Sequence, residues 1–323
     1  MSFRKPGTKF IGAKILVYGL TGSGKSLFGL SCEDILAIDS ENGLTDYESS
    51  HRGKNLIGIK NTQSFVELEE TIDEIYDTYE ELGAKTLVID SETKIYNNIE
   101  QAVMTVEEKR ARRDGREVDD TNLSMRSYGR IRYVGTKLQN LKIDLTSKGV
   151  NVVSVAQAKE IKKKVGDEYV VVGYTPVMNK DAKYDYDIIL FFYREEDMIN
   201  GGYKYFAKVE KDRTETIPAG TIIEGGVSYD TWKDYYEKQR SGKKEALGSS
   251  FAKDTEESIA GYDKTSSLEQ KSLKGQVTEV IKSLDAEATK TFKAEFAAIK
   301  VTDFEKMTVK QQEKLEALIK KYQ

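Results

Sequence analysis

Short, nearly unbroken apolar runs recur through the first two-thirds of the chain. They are Lys14–Tyr18 (KILVY), Ile35–Asp39 (ILAID), Thr86–Asp90 (TLVID), Asn151–Ala156 (NVVSVA), Ile188–Tyr193 (IILFFY) and Tyr203–Val209. Runs without polar alternation belong to strands buried on both faces, as in a parallel sheet. Between the second and third, Phe65, Leu68, Ile72, Ile75, Tyr79 and Leu82 recur at intervals of three and four, and Ser64 with Glu67 forms a capping box. That spacing predicts an amphipathic helix. Strand, helix and strand in this order predict a right-handed βαβ crossover and an α/β fold. Tyr169–Tyr174 (YVVVGY) is expected to pair as a local hairpin after a turn over Lys162–Asp167, outside the core sheet.

The pattern changes near residue 240. Ser241–Ser267 is rich in Ser, Gly, Lys and Glu, with Phe251, Ile259 and Tyr262 as its main bulky apolar residues. Such a stretch reads as a flexible linker. Helical periodicity then returns in three stripes: Val277, Val280, Ile281 and Leu284; Phe292, Phe296 and Ile299; and Leu315, Leu318, Ile319 and Tyr322, the last opened by a Thr308/Gln311 capping box. The expected organisation is an α/β domain over 1–240, a linker over 241–267 and a small helical module over 268–323. A module of that size is close to the minimum for an independent fold.

Composition removes several chemistries. The chain has 323 residues, about two domains' worth. One cysteine, Cys32, excludes a disulfide framework, and one histidine, His51, leaves too few ligands for a Cys/His zinc site. A Ser-His-Asp triad would have to use His51. No apolar run approaches a membrane span, and the amino-terminal MSFRKPG is no signal peptide, so the expectation is a reduced, cytoplasmic protein without a membrane partner. A net charge of −4 gives no general affinity for nucleic acid but allows local basic patches.

The strongest chemical signal is Gly19-Leu20-Thr21-Gly22-Ser23-Gly24-Lys25-Ser26, a full match to GxxxxGK[ST]. It follows the strand KILVY and opens a helical stretch, as a phosphate loop must. Glycines at 19, 22 and 24 let backbone N–H groups, including those of Thr21 and Ser23, converge on phosphate oxygens, with a helix amino terminus behind them. Lys25 is expected to reach the β and γ phosphates, and the Ser26 hydroxyl to ligate Mg²⁺. Asp90, at the end of an apolar strand, suits a second Mg²⁺ contact through water. A base for the attacking water has two candidates: Glu41, just past the strand ILAID, and Glu92, two residues beyond Asp90.

The order of these motifs resembles the RecA-type recombinase core. That resemblance implies a RecA-like P-loop NTPase fold: a largely parallel sheet flanked by helices, here followed by the linker and the helical module. It implies that Glu41 of Ile38-Asp39-Ser40-Glu41 is the catalytic base, that Asp90-Ser91 is the Walker B element and that Gln157, ending Val152–Gln157, senses the γ-phosphate. It also matches Lys211 and Arg213, in Val209-Glu210-Lys211-Asp212-Arg213, to cations that reach a neighbouring subunit's phosphates. Five elements occur in family order across residues 14–213. Within that group the chain is most similar to the compact phage-encoded RecA-like ATPases of the single-strand annealing kind, also described as phage AAA nucleotide-binding proteins. They lack the amino-terminal oligomerisation helix of RecA, and here the first strand starts by about residue 14.

The resemblance further implies ATP and Mg²⁺ as cofactors, single-stranded DNA as ligand, a homo-oligomeric ring or filament, a single-strand DNA-binding protein as a further partner, and the bacterial host cytoplasm as location. DNA loops are then expected on either side of the sensor strand. Lys109, Arg110, Arg112, Arg113 and Arg116 crowd one segment, and Lys159, Lys162, Lys163 and Lys164 follow Gln157. Tyr128 and Tyr133 among Arg126, Arg130 and Arg132 offer stacking surface beside charge. Two other classes compete. A small-molecule P-loop kinase would use the KRARRDGR stretch as a lid, and a nucleotide-switch accessory protein of phage replication would bind without catalytic turnover. ATP turnover stimulated by DNA separates the three.

Overall fold

In the computed structural model, residues 3–115, 125–242 and 245–322 are described. They fall into two units, Met1–Ala252 and Lys253–Gln323. The first opens with β1 (Lys9–Phe10), β2 (Lys14–Gly19), α1 (Lys25–Leu30), β3 (Ile35–Asp39), a single turn α2 (Thr45–Glu48), β4 (Leu56–Asn61), α3 (Phe65–Thr78) and β5 (Thr86–Asp90). Two long helices follow, α4 (Glu92–Arg113) and α5 (Met125–Ser147), then β6 (Asn151–Val165) and β7 (Glu168–Pro176). The unit closes with β8 (Ile188–Glu196), β9 (Tyr203–Asp212), β10 (Ile222–Glu224), α6 (Asp230–Ser241) and β11 (Glu245–Ala246).

All six apolar runs are strands of one sheet, ordered β10-β9-β8-β2-β6-β5-β3-β4. The six strands from β8 to β4 run parallel, and β9 and β10 are added antiparallel at one edge. This is the RecA-like P-loop NTPase arrangement, with β2 central. Period-two alternation divides the core. Ile15, Val17, Leu190 and Phe192 pack on one face with Phe28 of α1 and Trp232 of α6. Ile38, Leu87, Ile89 and Val152 pack on the other with Leu68 and Ile72 of α3, Ile95 of α4 and Leu138 and Leu141 of α5. Burial on both faces is why these runs show no polar alternation.

Three local expectations change. An edge strand, β4, lies between β3 and α3; its glycine and partly exposed residues left no apolar run to read. The helix capped by Ser64 ends at Thr78, and Leu82 lies 45 % exposed beyond it. The turn placed over Lys162–Asp167 shrinks to Gly166–Asp167, because β6 continues past Gln157, its last partner of β2, to Val165 and pairs with β7 as a projecting ribbon. Gly166, at φ +66°, supplies the left-handed residue of that tight turn.

Across the stretch expected to be a linker, 241–267, helix α7 (Phe251–Ser283) begins at Phe251. Lys, Glu, Gln and Ala favour helix, and low apolar content removes the burial signal without removing that preference. The second unit continues with α8 (Ala286–Ala298) and α9 (Val309–Tyr322). Val277, Val280, Phe292, Leu315, Leu318 and Ile319 form its core, so the three stripes face one another. Its capping box forms in full: the Thr308 N–H donates to Gln311 Oε1 at 2.9 Å, and the Gln311 N–H to Thr308 Oγ1 at 3.3 Å. No helix among the described residues is long and apolar enough to cross a membrane.

Candidate nucleotide site

Parallel pairing brings the carboxyl ends of β2, β3, β5 and the core part of β6 to one edge. Gly19 is level with Gln157, and Asp39 with Asp90. In an open α/β sheet, that edge is where ligands bind.

The phosphate loop begins where Gly19 leaves β2. A Cβ at Gly19 would lie 2.0 Å from the Phe192 carbonyl oxygen, so only glycine allows β8 this close. Gly22 (φ +64°) and Gly24 (φ +95°) take left-handed conformations that turn the loop back toward α1. Ser23 Oγ and Lys25 Nζ both donate to the Leu20 carbonyl at 2.7 Å, closing the loop on itself. Burial lowers the Lys25 pKa, while Asp90 and Glu41 pull it upward.

Asp90 is buried beside Ser26, whose hydroxyl favours the charged carboxylate. Burial pushes the Asp90 pKa up to about 6, helped by Glu41 and Asp39 and opposed by Ser26 and Lys25. A hydroxyl and a carboxylate side by side behind a glycine-lined loop are the oxygen donors that suit Mg²⁺ bound with phosphate. Ser26 and Asp90 therefore fit the cation.

Glu41 Oε1 accepts two hydrogen bonds, from Ser91 Oγ at 2.6 Å and from Gln157 Nε2 at 2.9 Å. Three strand ends thus converge on one carboxylate. The turn presenting it is built by Asp39, whose carboxylate accepts the N–H groups of Glu41 and Gly43 at 3.1 Å and of Leu44 at 2.9 Å. Glu92 points the other way. It is 2 % exposed and bonded to Lys142 (2.7 Å), Gln139 and Tyr186. Burial raises its pKa, but Lys142 with the Ser154 and Tyr186 hydrogen bonds more than offsets this and holds it below the ordinary value. A salt-bridged interior glutamate cannot activate water at the phosphates, so of the two candidate bases only Glu41 stands in the site.

A family model described as an AAA domain matches residues 11–221, more than half of the chain. The chain belongs to the AAA domain family. It is a P-loop ATPase in which the matched residues contain the loop, Glu41, Asp90, Gln157, Lys211 and Arg213. No curated protein matches it. Among solved structures, a KaiC-like protein from the hyperthermophilic archaeon Pyrococcus horikoshii is similar at 17 % identity and TM-score 0.37, over 68 % of this chain and 92 % of that one.

Beyond the loop, this AAA domain has a cavity of about 560 Å³ lined by Gly22–Phe28, Tyr47, Arg52, Tyr205 and Gly225–Val227. Sequence reading missed this wall because its residues come from α2, the turn His51–Gly53, β9 and the segment before α6. The paired glycines at 225 and 226, both at positive φ, were the one local sign of a special backbone. Arg194 was also missed. It stacks on Tyr203 at 4.1 Å, and its guanidinium lies 3.0 Å from where a Gly22 Cβ would stand.

Lys211 and Arg213 are not brought to the loop of their own chain. Antiparallel β9 carries them toward the amino ends of β2 and β8, at the opposite edge of the sheet. There Arg213 bonds Asp187 at 3.0 Å and Lys211 donates to the Tyr184 carbonyl at 3.2 Å.

The basic residues among those described stand on three elements. Lys109, Arg112 and Arg113 are exposed in the last turns of α4, while Arg110 pairs with Glu107 at 2.6 Å; Arg116 lies outside the described residues. Arg126, Arg130 and Arg132, with Tyr128 (58 % exposed) and Tyr133 (60 %), line the start of α5. Lys159, Lys162, Lys163 and Lys164 stand on the ribbon, interleaved with exposed Ile161, Tyr169, Val170 and Val171.

Proposed function

We propose that this AAA domain protein hydrolyses ATP in response to single-stranded DNA and promotes annealing or strand pairing as a homo-oligomer. The observation that carries the reading is the position of Gln157. Its side chain holds Glu41, while its backbone roots the lysine-bearing ribbon: the Gln157 N–H donates to Thr93 Oγ1 at 2.9 Å and its carbonyl accepts the Val177 N–H at 2.9 Å. A strand of nucleic acid gripped by the ribbon would bear on the hydrolytic carboxylate through one residue.

ATP fits with its phosphates on the Gly22–Ser26 amides and its base in the cavity beside Tyr47 and Tyr205. Lys25 would leave the Leu20 carbonyl for the β and γ phosphates. Ser26 and Asp90 would hold magnesium, which supplies charge neutralisation to the phosphates. Glu41 would take the proton of the attacking water, held in orientation by Ser91 and Gln157. Lys211 and Arg213 would serve a neighbouring copy's phosphates, since they stand far from their own.

Single-stranded DNA would lie along the ribbon and the α4/α5 basic turns, with phosphates on Lys and Arg and bases on Tyr. A single-strand DNA-binding protein is the partner class this activity implies. The test is steady-state ATP turnover with and without single-stranded DNA. Stimulation that declines with salt is expected. Turnover indifferent to DNA at every salt concentration would overturn the reading, and phosphoryl transfer to a small acceptor would replace it with a kinase.

A further inference from the structure

Ser40 is a buried hydroxyl that the site described so far does not use. It follows β3 directly and is 5 % exposed. Its Oγ accepts the Ser91 N–H at 2.8 Å and donates to the Ser91 carbonyl at 2.9 Å, and its own N–H donates to the Asp90 carbonyl at 2.7 Å. Its carbonyl accepts from Gln63 Nε2 at 2.8 Å. The backbone pairing of β3 with β5 stops at Asp39 and Asp90. One side chain therefore continues the ladder for a further residue, at the point where β5 leaves the sheet for α4.

We propose that Ser40 is a positioning residue of the hydrolytic site, acting through Ser91 on Glu41. The path is short. Ser40 fixes both polar groups of the Ser91 backbone, and Ser91 Oγ donates to Glu41 Oε1 at 2.6 Å. Gln157 approaches the same oxygen. With both donors on Oε1, the other oxygen is directed to the water. Removing the Ser40 hydroxyl leaves the buried Ser91 N–H without its partner and the Ser91 carbonyl with the Lys94 N–H at 3.2 Å, and an orphaned buried donor shifts to find another acceptor. The Ser91 hydroxyl shifts with it and releases Glu41. A displacement of about 1 Å in a catalytic group costs on the order of 100-fold in rate.

The proposal rests on the reading of Glu41 as the base, and the test keeps the two apart. Ser40→Ala, Ser40→Cys, Ser40→Thr, Ser91→Ala, the Ser40→Ala/Ser91→Ala double variant and Glu41→Gln are compared by kcat and by ATP affinity. Ser40→Ala is expected to lose about 10–100-fold in kcat with ATP affinity within about twofold of wild type. Ser40→Cys, near in volume and a weak donor, should fall between. Ser40→Thr, which keeps the hydroxyl, should recover much of the loss. Adding Ser40→Ala to Ser91→Ala should cost little more, because both act on one path. Losses that multiply in the double variant, or normal turnover in Ser40→Ala and Ser40→Cys while Glu41→Gln is slow, would overturn the positioning role. Wild-type turnover in Glu41→Gln would overturn the base assignment itself, and the proposal with it.

Discussion

Asp90 shows how burial sets the chemistry of a single group. Its carboxyl is protonated below about pH 6, because burial outweighs the Ser26 and Lys25 contacts. Magnesium must displace that proton, so the apparent Mg²⁺ affinity should fall as pH drops through 6, approaching tenfold per unit. Mg²⁺ titrations at pH 5, 6 and 8 check this, and Asp90→Asn should abolish the trend. The stability sign is opposite to that of a salt-bridged carboxylate. A pKa raised in the folded state from 3.8 to about 6 contributes stability in acid that is lost as pH rises through that window. Two further residues test the proposed reaction. Lys25→Ala should lose ATP binding or turnover while keeping its circular dichroism. Glu41→Gln should bind ATP nearly normally yet turn over about 10²–10⁴ times more slowly, a loss read by comparing nucleotide affinity with single-turnover rate.

At the scale of elements, the projections carry the binding predictions. The ends of α4 and α5 and the β6–β7 ribbon extend lysines, arginines and tyrosines beyond the packed core, where they gain little for folding. Each cation removed from a phosphate should change the log–log salt slope by about 0.7 for a single strand. Replacing Lys109, Arg112 and Arg113 with Ala should therefore flatten the slope by about 2 and weaken single-stranded DNA binding regardless of base sequence. Fluorescence titrations across a salt series measure this, and an unchanged slope would leave the DNA to the ribbon lysines. Arg110 belongs less to this set than the sequence suggested, because Glu107 holds its guanidinium.

At the scale of the whole molecule, Lys211 and Arg213 stand at the sheet edge opposite the phosphate loop. If they complete a neighbour's site, Lys211→Ala protein mixed with Lys25→Ala protein should regain part of the ATPase rate, because one interface in the mixture pairs an intact loop with an intact Lys211. Rate measured against mixing ratio decides it; no recovery between folded, associating proteins would mean that each chain's site is complete.

The sequence by itself determined the parallel sheet, the phosphate loop and the cluster of chemistry at one sheet edge. Strands buried on both faces are written as continuous apolar runs, and a phosphate loop needs its glycines and lysine at fixed local spacing. It also placed Asp39 and Asp90 at strand ends and Gln157 at the end of the apolar run of β6, so parallel pairing aligned them. Only the tertiary structure showed that Glu41 stands beside Ser91 and Gln157 while Glu92 lies in the core. The difference depends on which way each side chain faces, and Lys142, 50 residues along the chain from Glu92, draws that carboxylate into the core. Tertiary structure likewise drew Ser40 to Ser91, built the cavity from Tyr47, Tyr205 and Gly225, and extended β6 past the sheet. Each of these rests on contacts between distant segments. Periodicity and local spacing report how a residue meets its own element, and carry nothing about which remote side chain will stand opposite it.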